Sequence, residues 1–466
     1  MMKLFSRIRI LLIALACNLT WALAIPISND AGKTIDVDIL EVQEQRIQIR
    51  LQNGNELWFE RARLSTQSQQ LINKIATQAQ SQFQTINALF GIPLLKDNDL
   101  WDDQANEVAQ RLQWPPESET PTESSFRYYP AENYRILGAR PYAATLYGDN
   151  AQTTQLSMVF ANKGDFIFSD TPTKSEIKAM HNAIKNNADT LYERISKAFG
   201  QPHTQPFGTG RGLKERIKRW NWQGHAFLLA TQPGEYVSLR ILPSETADNK
   251  GRGKRLSDAA LRKLAKQNIR TRTNGDVIIS NIPMVHQGPK GYCVPATFER
   301  YLRYMQIPAD MYILAMAGQT KIGGGTSLQN IINAVDRYIA SHSRTMKQLQ
   351  EPISIRTVRK HIDKGLPIIW TMYSSKAYNQ YANQRTQDRH AVTDWDTWAK
   401  KAKTSTRATK LSRDSTAAHA CLITGYNKAT DEIAVSDSWG PAYNERWISA
   451  EQAEQVSQGY LYLISF

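Results

Sequence analysis

The spacing of apolar and polar positions changes several times along the chain, and the changes predict a multidomain α+β protein. Residues 34–40, 46–51 and 56–59 alternate apolar with polar around the Asn53-Gly54-Asn55 turn, which predicts the short strands of a small β module over 25–68. Over 69–90 the apolar residues Leu71, Ile72, Ile75, Ala79, Phe83, Ile86 and Phe90 recur at helical spacing, as expected of one long connecting helix. That helix opens a region, 69–245, in which helices near 104–112 and 174–199 alternate with strands near 143–147, 156–161, 226–230 and 236–242. An antiparallel sheet flanked by helices is its natural assembly. Residues 246–274 are rich in Lys, Arg, Asp and Gly and read as a basic linker with one helical patch at 256–267. A last domain, 275–466, follows. In it Val294, Phe298, Tyr301, Leu302 and Met305 fall on one helical face, and apolar, β-branched runs at 419–426 and 432–436 predict strands. A polar insertion, 374–418, interrupts it and reads either as a lid or as a surface excursion.

Composition narrows the class. A hydrophobic content of 41% is that of a globular chain and excludes overall disorder. Residues 1–24 read as a signal peptide: Lys3, Arg7 and Arg9 precede the apolar run 10–16, and Ala22-Leu23-Ala24 offers a small-x-small cleavage site. Export with cleavage near Ala24 is the expectation. Cys17, after Ala14-Leu15-Ala16, offers a lipoprotein site instead, but Ala14 stands where such sites usually carry a larger aliphatic residue. Beyond this segment no run approaches the length needed to span a bilayer. The net charge is +14, with basic density at 250–266 and 400–410. Neither run carries the interleaved aromatics that stack bases, so no nucleic-acid partner is expected. Histidines and cysteines show no ligand-like spacing, so neither a metal nor another cofactor is expected.

Candidate chemistry lies in the last domain. Gln287 stands six residues before Cys293, which opens the predicted helix with Pro295 in its first turn. A thiol there sits at unpaired backbone N–H groups and the positive end of the helix dipole, both favouring the thiolate. Gly288 and Gly291 let the intervening loop bend, so that the Gln287 amide and the Cys293 backbone N–H can converge on one oxygen as an oxyanion hole. His419 begins the strand His-Ala-Cys-Leu-Ile-Thr-Gly-Tyr, and Asp437-Ser-Trp-Gly follows the next one. An aspartate there can hold the second ring nitrogen of His419 and turn the first toward Cys293, while Trp439 covers that bond from water. Past a signal peptide only Cys293 and Cys421 would remain, and a cysteine pair in an oxidising compartment is by default a disulfide. Cys421 shares the His419 face of its strand, so a bridge is sterically open. It would, however, make the glutamine, histidine and aspartate coincidences.

Taken together, these motifs resemble the papain superfamily, whose chain order is oxyanion glutamine, nucleophile, histidine, then asparagine or aspartate. Asp437-Ser-Trp-Gly stands where papain-like enzymes carry Asn-Ser-Trp-Gly, and with Gly365-Leu-Pro-Ile-Ile-Trp370 it is more similar to bacterial peptidases related to those that trim double-glycine leaders. The resemblance covers about 276–466. It implies a helical half carrying the nucleophile and an antiparallel β half, catalytic Cys293, His419 and Asp437, Gln287 in the oxyanion hole, and a peptide or protein substrate. It also implies that Gly323, Gly324 and Gly325 line the cleft, although three glycines before a helix are equally an ordinary flexible loop. Val294-Pro295 after the cysteine depart from the papain pattern. An amidase or transpeptidase using the same residues, and a catalytically silent peptide-binding module, remain alternatives. Residues 26–68, from Gly32-Lys-Thr-Ile to Ala62-Arg-Leu-Ser65, resemble the SH3-like modules that precede other domains in exported bacterial proteins.

Overall fold

The computed structural model describes residues 8–9, 25–166, 172–210, 212–252, 256–288, 291–322 and 325–466. The expected signal peptide, apart from residues 8–9, and Gly323 and Gly324 lie outside the described residues.

Strands Ile25–Ser28, Thr34–Val42, Arg46–Leu51 and Glu56–Glu60 form a small antiparallel sheet. Its alternation buries Val37, Ile39, Ile47 and Ile49 on one face. Helix Thr66–Phe90 begins where the Ser65 side chain accepts from Ser68 N–H and ends at Gly91 in the left-handed region. Ile72 and Ile75 near its start close the core of this sheet, whereas Ile86 and Phe90 near its end belong to the core of the next. One helix therefore ties two cores together.

The second sheet has eight antiparallel strands in the order His203–Phe207, Glu215–Trp222, His225–Gln232, Tyr236–Pro243, Gln152–Asn162, Ala143–Asp149, Glu123–Tyr128, Pro116–Glu119. Helix Lys174–Phe199, started by a Thr173/Glu176 capping box, lays Met180, Ile184, Leu191 and Ile195 on it. Trp114 and Trp220 are buried in this core.

Residues 246–274 hold more structure than a linker. Helix Asp258–Gln267 runs into strand Ile269–Thr271, which pairs with Asp276–Ile279 at the edge of the third sheet. The sheet thus begins before residue 275, because the turn at Asn274-Gly275 folds the two short strands together. Its centre is strand Ala418–Asn427, hydrogen-bonded to Ile368–Tyr373, Glu432–Ser436 and Asp276–Ile279. Ser457–Ser465 and the edge strand Thr345–Leu349 complete the far side, and Arg446–Ser449 extends the near one. Helix Cys293–Tyr304 is buried along its whole length. Phe298, Tyr301 and Leu302 pack toward the third sheet's core, while Ala296 joins Ala143 and Val159 of the second sheet. A helix covered on every side fits a position between two layers.

The insertion 374–418 folds as helices Lys376–His390 and Trp395–Ala408. Arg385 and Arg389 of the first reach the buried Glu432, and Arg389 also pairs with Asp276 at 2.5 Å. The pair of helices is thereby fastened to the sheet. His390, at its C-terminal end, is exposed. No helix among the described residues is long and apolar enough to cross a membrane.

Candidate active site

Cys293 is the first residue of its helix, after the Tyr292 cap. His419 is the second residue of the central strand, opposite Met372, and Asp437 follows directly after Glu432–Ser436. Pairing of these two strands places Leu422 against Ser436, which brings the histidine end of one to the aspartate end of the other. His419 Nε2 lies 2.9 Å from Asp437 Oδ1. The other ring nitrogen, Nδ1, is left for Cys293, whose thiol hydrogen-bonds the imidazole. The Trp439 ring lies 4.7 Å from the His419 ring, centroid to centroid, and shields the histidine–aspartate contact.

The charges in this cluster bias its proton. Burial opposes ionisation of Cys293, but the hydrogen bond and charge of His419 and the backbone N–H groups of Ala420 and Val294 hold its thiol below the ordinary range. His419 moves the other way: burial lowers its basicity, and the bonds to Asp437 and Cys293 more than reverse this, raising it to about 9. The pair therefore favours thiolate and imidazolium. Asp437 is fully buried, which alone would raise its pKa, yet the Arg446 charge and the His419 bond keep it below the ordinary carboxylate range. Cys421 is buried beside it, and its thiol is pushed far up by burial. Both cysteines are free thiols.

Arg446 is the residue that the sequence does not point to. Its Nε and Nη2 donate to Asp437 Oδ2 at 3.0 and 2.7 Å, a two-pronged grip on a buried carboxylate. Its Nη1 donates to Asn379 and Asn383 Oδ1 at 2.9 and 3.1 Å, so the insertion helix supports the aspartate through the arginine. No spacing rule links a strand arginine to an aspartate nine residues earlier and to asparagines in an insertion; the signal exists only in three dimensions.

Gln287 is buried on the loop that leads to Cys293, and that loop is braced at consecutive residues. Gln287 N–H donates to the Ser438 carbonyl at 2.8 Å, beside Asp437. His286 N–H donates to Glu117 Oε1 at 2.7 Å, and the His286 carbonyl accepts from Tyr129 Oη at 2.6 Å, both partners belonging to the second sheet or the loop leaving it. Gly288 adopts φ +73 with the Tyr129 ring 3.1 Å from where a Cβ would stand, so conformation and space both demand glycine there. The structure thus brings Cys293, His419, Asp437 and Trp439 together and sets the Gln287 backbone against the Asp437 turn. Of the three glycines expected to line the cleft, Gly325 is described, and its N–H donates to the Gly291 carbonyl at 3.0 Å. Among the described residues no group of three or more His, Cys, Asp or Glu side chains could hold a metal ion.

Residues 279–463 match the family model described as the Peptidase_C39 like family, which supports the papain-like cysteine peptidase superfamily for this part of the chain. No curated protein matches the chain.

Proposed function

We propose that the C-terminal part of this chain is a thiol-dependent peptidase using a Cys293–His419–Asp437 triad with Gln287 in the oxyanion hole. The observation that carries the reading is the coupled polarisation of the pair: the Cys293 thiol is held low, His419 is held high, and Asp437 grips His419 at 2.9 Å. Such a pair keeps a nucleophile ionised without an external base. In the mechanism the Cys293 thiolate attacks the peptide carbonyl carbon and forms a C–S bond. The negative oxygen then accepts from the Cys293 backbone N–H and the Gln287 amide. Collapse breaks the C–N bond as His419 gives its proton to the leaving amine. His419 then takes a proton from water, whose oxygen attacks the thioester and releases the acid and the thiolate. Asp437 holds the tautomer and carries the imidazolium, and Arg446 keeps Asp437 ionised.

The test is cleavage of a mixed peptide library by the wild-type chain and by Cys293→Ala. Wild-type cleavage lost in a folded Cys293→Ala protein is the expected result, and cleavage that survives the substitution removes the proposal. A second reading, a silent peptide-binding module, draws on the burial of the pair, with Cys293 9% and His419 7% exposed. It gains if Cys293 in the native protein reacts with iodoacetamide no faster than a free thiol at neutral pH. The reading extends to an exported protein with an SH3-like docking module at 25–68. N-terminal sequencing of the protein recovered outside the cytoplasm, expected to start near Ile25, tests the export.

A further inference from the structure

A groove of about 1080 Å³ opens on the C-terminal part of the chain, and neither Cys293 nor His419, Asp437 or Gln287 lines it. Three distant segments send cations into it: Arg262, Lys263 and Lys266 from helix Asp258–Gln267, Lys347 from the edge strand, and Lys360 and Lys364 from helix Ile355–Ile362 and the turn after it. The one side-chain carboxylate in its lining is Glu351, 2.7 Å from Lys360. Among the described residues the other five cations make no ion pair. Arg262, Lys263 and Lys266, the last part of the basic run at 250–266, are thus one wall of a concave site. Gathering like charges works against folding unless something anionic meets them.

A second, independent observation points the same way. His361 lines the groove at 5% exposure, and among the described residues nothing bonds its Nε2. A buried polar atom without a partner calls for a water, or for a ligand group that reaches it as the groove side chains shift. The rest of the lining selects the ligand. Leu349, Leu366 and Leu463 give an apolar floor, and Gln267, Gln348 and Gln350 each offer an amide donor and acceptor. The aromatic in the lining, Phe466, already lies under the Arg262 guanidinium at 4.7 Å, so stacked bases find no platform.

We infer that this groove binds an extended acidic peptide segment, with its carboxylates on the lysine rim, its amides on the three glutamines, its apolar side chains on the leucine floor and an acceptor group at His361 Nε2. The site stands whether or not Cys293 is a nucleophile, because nothing in the argument uses the triad.

The experiment uses the full chain and a fluorescein-labelled peptide of alternating Glu and Leu, followed by anisotropy at low salt, with a Gln-Leu peptide as control. Expected are saturable binding of the acidic peptide, loss of affinity as salt rises, and weakening of about tenfold or more in K347E/K364E. The neutralising pair K347Q/K364Q, gentler on folding, should weaken binding by a smaller factor. His361→Ala should weaken it severalfold without any change in net charge at neutral pH. Circular dichroism and the Cys293 alkylation rate should match wild type in each variant. Equal binding of the Gln-Leu peptide, or wild-type affinity in both lysine pairs, overturns the inference. So does inorganic polyphosphate or a single-stranded oligonucleotide that binds the groove more tightly than the acidic peptide, since the site would then belong to a phosphate polymer.

Discussion

Replacing Arg446 by Met separates the contribution of charge from that of bulk at the heart of the site. Met keeps the aliphatic stem of the side chain and much of its apolar contact but removes both donors to Asp437 Oδ2 and those to Asn379 and Asn383. Asp437 and Arg446 are 1% and 3% exposed, so bulk water screens the pair little. Breaking one partner out of such a pair costs about 3–5 kcal/mol. For a domain of this size that is a fall of roughly 1–2 M in the urea midpoint. The carboxylate also loses the charge that holds it low. A depressed carboxylate stabilises the fold fully above its unfolded value of 3.8, and that contribution is lost as pH falls through the folded one. In Arg446→Met the loss must begin at higher pH, and a protonated Asp437 can no longer support the imidazolium. The assays are urea unfolding between pH 4 and 8 and the pH profile of Cys293 alkylation by iodoacetamide, which needs no knowledge of the substrate. The expected result is an acid limb displaced upward in both, with Arg446→Lys recovering part of each because one charged donor returns. A wild-type urea midpoint together with a wild-type alkylation profile would refute the argument.

Further outcomes follow from the same geometry. The kcat/KM profile should rise through a Cys293 ionisation below that of a free thiol and fall as His419 loses its proton at about 9; a single limb at the ordinary thiol value would contradict the pair. Cys421, fully buried with its thiol pushed up, should be alkylated only after unfolding, and mass mapping of native protein showing it labelled as fast as Cys293 would count against this. Tyr129→Phe removes the 2.6 Å bond to the His286 carbonyl, worth about 1 kcal/mol, and should lower kcat severalfold while leaving Cys293 alkylation unchanged. Unaltered kcat would mean that the second sheet does not set the Gln287 loop. The double change Asn379→Ala with Asn383→Ala should reproduce the Arg446→Met shifts at smaller amplitude, read by the same alkylation profile.

How far the sequence could reach depended on whether a feature is periodic or relational. Helix Cys293–Tyr304 was legible because Val294, Phe298, Tyr301 and Leu302 mark one face and Pro295 fixes the first turn. The strand start at His419 was legible because its apolar run is abrupt. The small sheet was legible in the alternation around Asn53-Gly54-Asn55, with Val37, Ile39, Ile47 and Ile49 turned inward as that alternation requires. Arg446 was not, since its neighbours Trp447 and Ile448 describe only a strand and its partners lie 9, 63 and 67 residues away. The insertion was misleading in a related way. Its helix Lys376–His390 has almost no apolar face, so periodicity offers nothing, and it is fixed by Arg385 and Arg389 on the buried Glu432.

That contrast bears on how the site is held. The side chains of the proposed triad come from the start of one helix and the ends of two strands of one sheet, but what keeps them in place comes from elsewhere: the insertion through Arg446 for Asp437, and the second sheet through Glu117 and Tyr129 for the Gln287 loop. Both supports are hydrogen bonds to buried or half-buried groups, whose energies depend steeply on distance and angle. A slip of either support would therefore change the reacting geometry before it changed the core, since the apolar packing around Phe298, Tyr301 and Ile423 does not pass through them. Changes at Tyr129, Asn379 or Asn383, which leave the buried ion pairs of the second sheet and the insertion in place, should consequently lose turnover at little cost in stability, the reverse of the pattern for core truncations, where cavity formation dominates. The exception is Arg446, which sits on both paths at once, and for that reason it is the residue at which stability and the Cys293 profile are expected to move together.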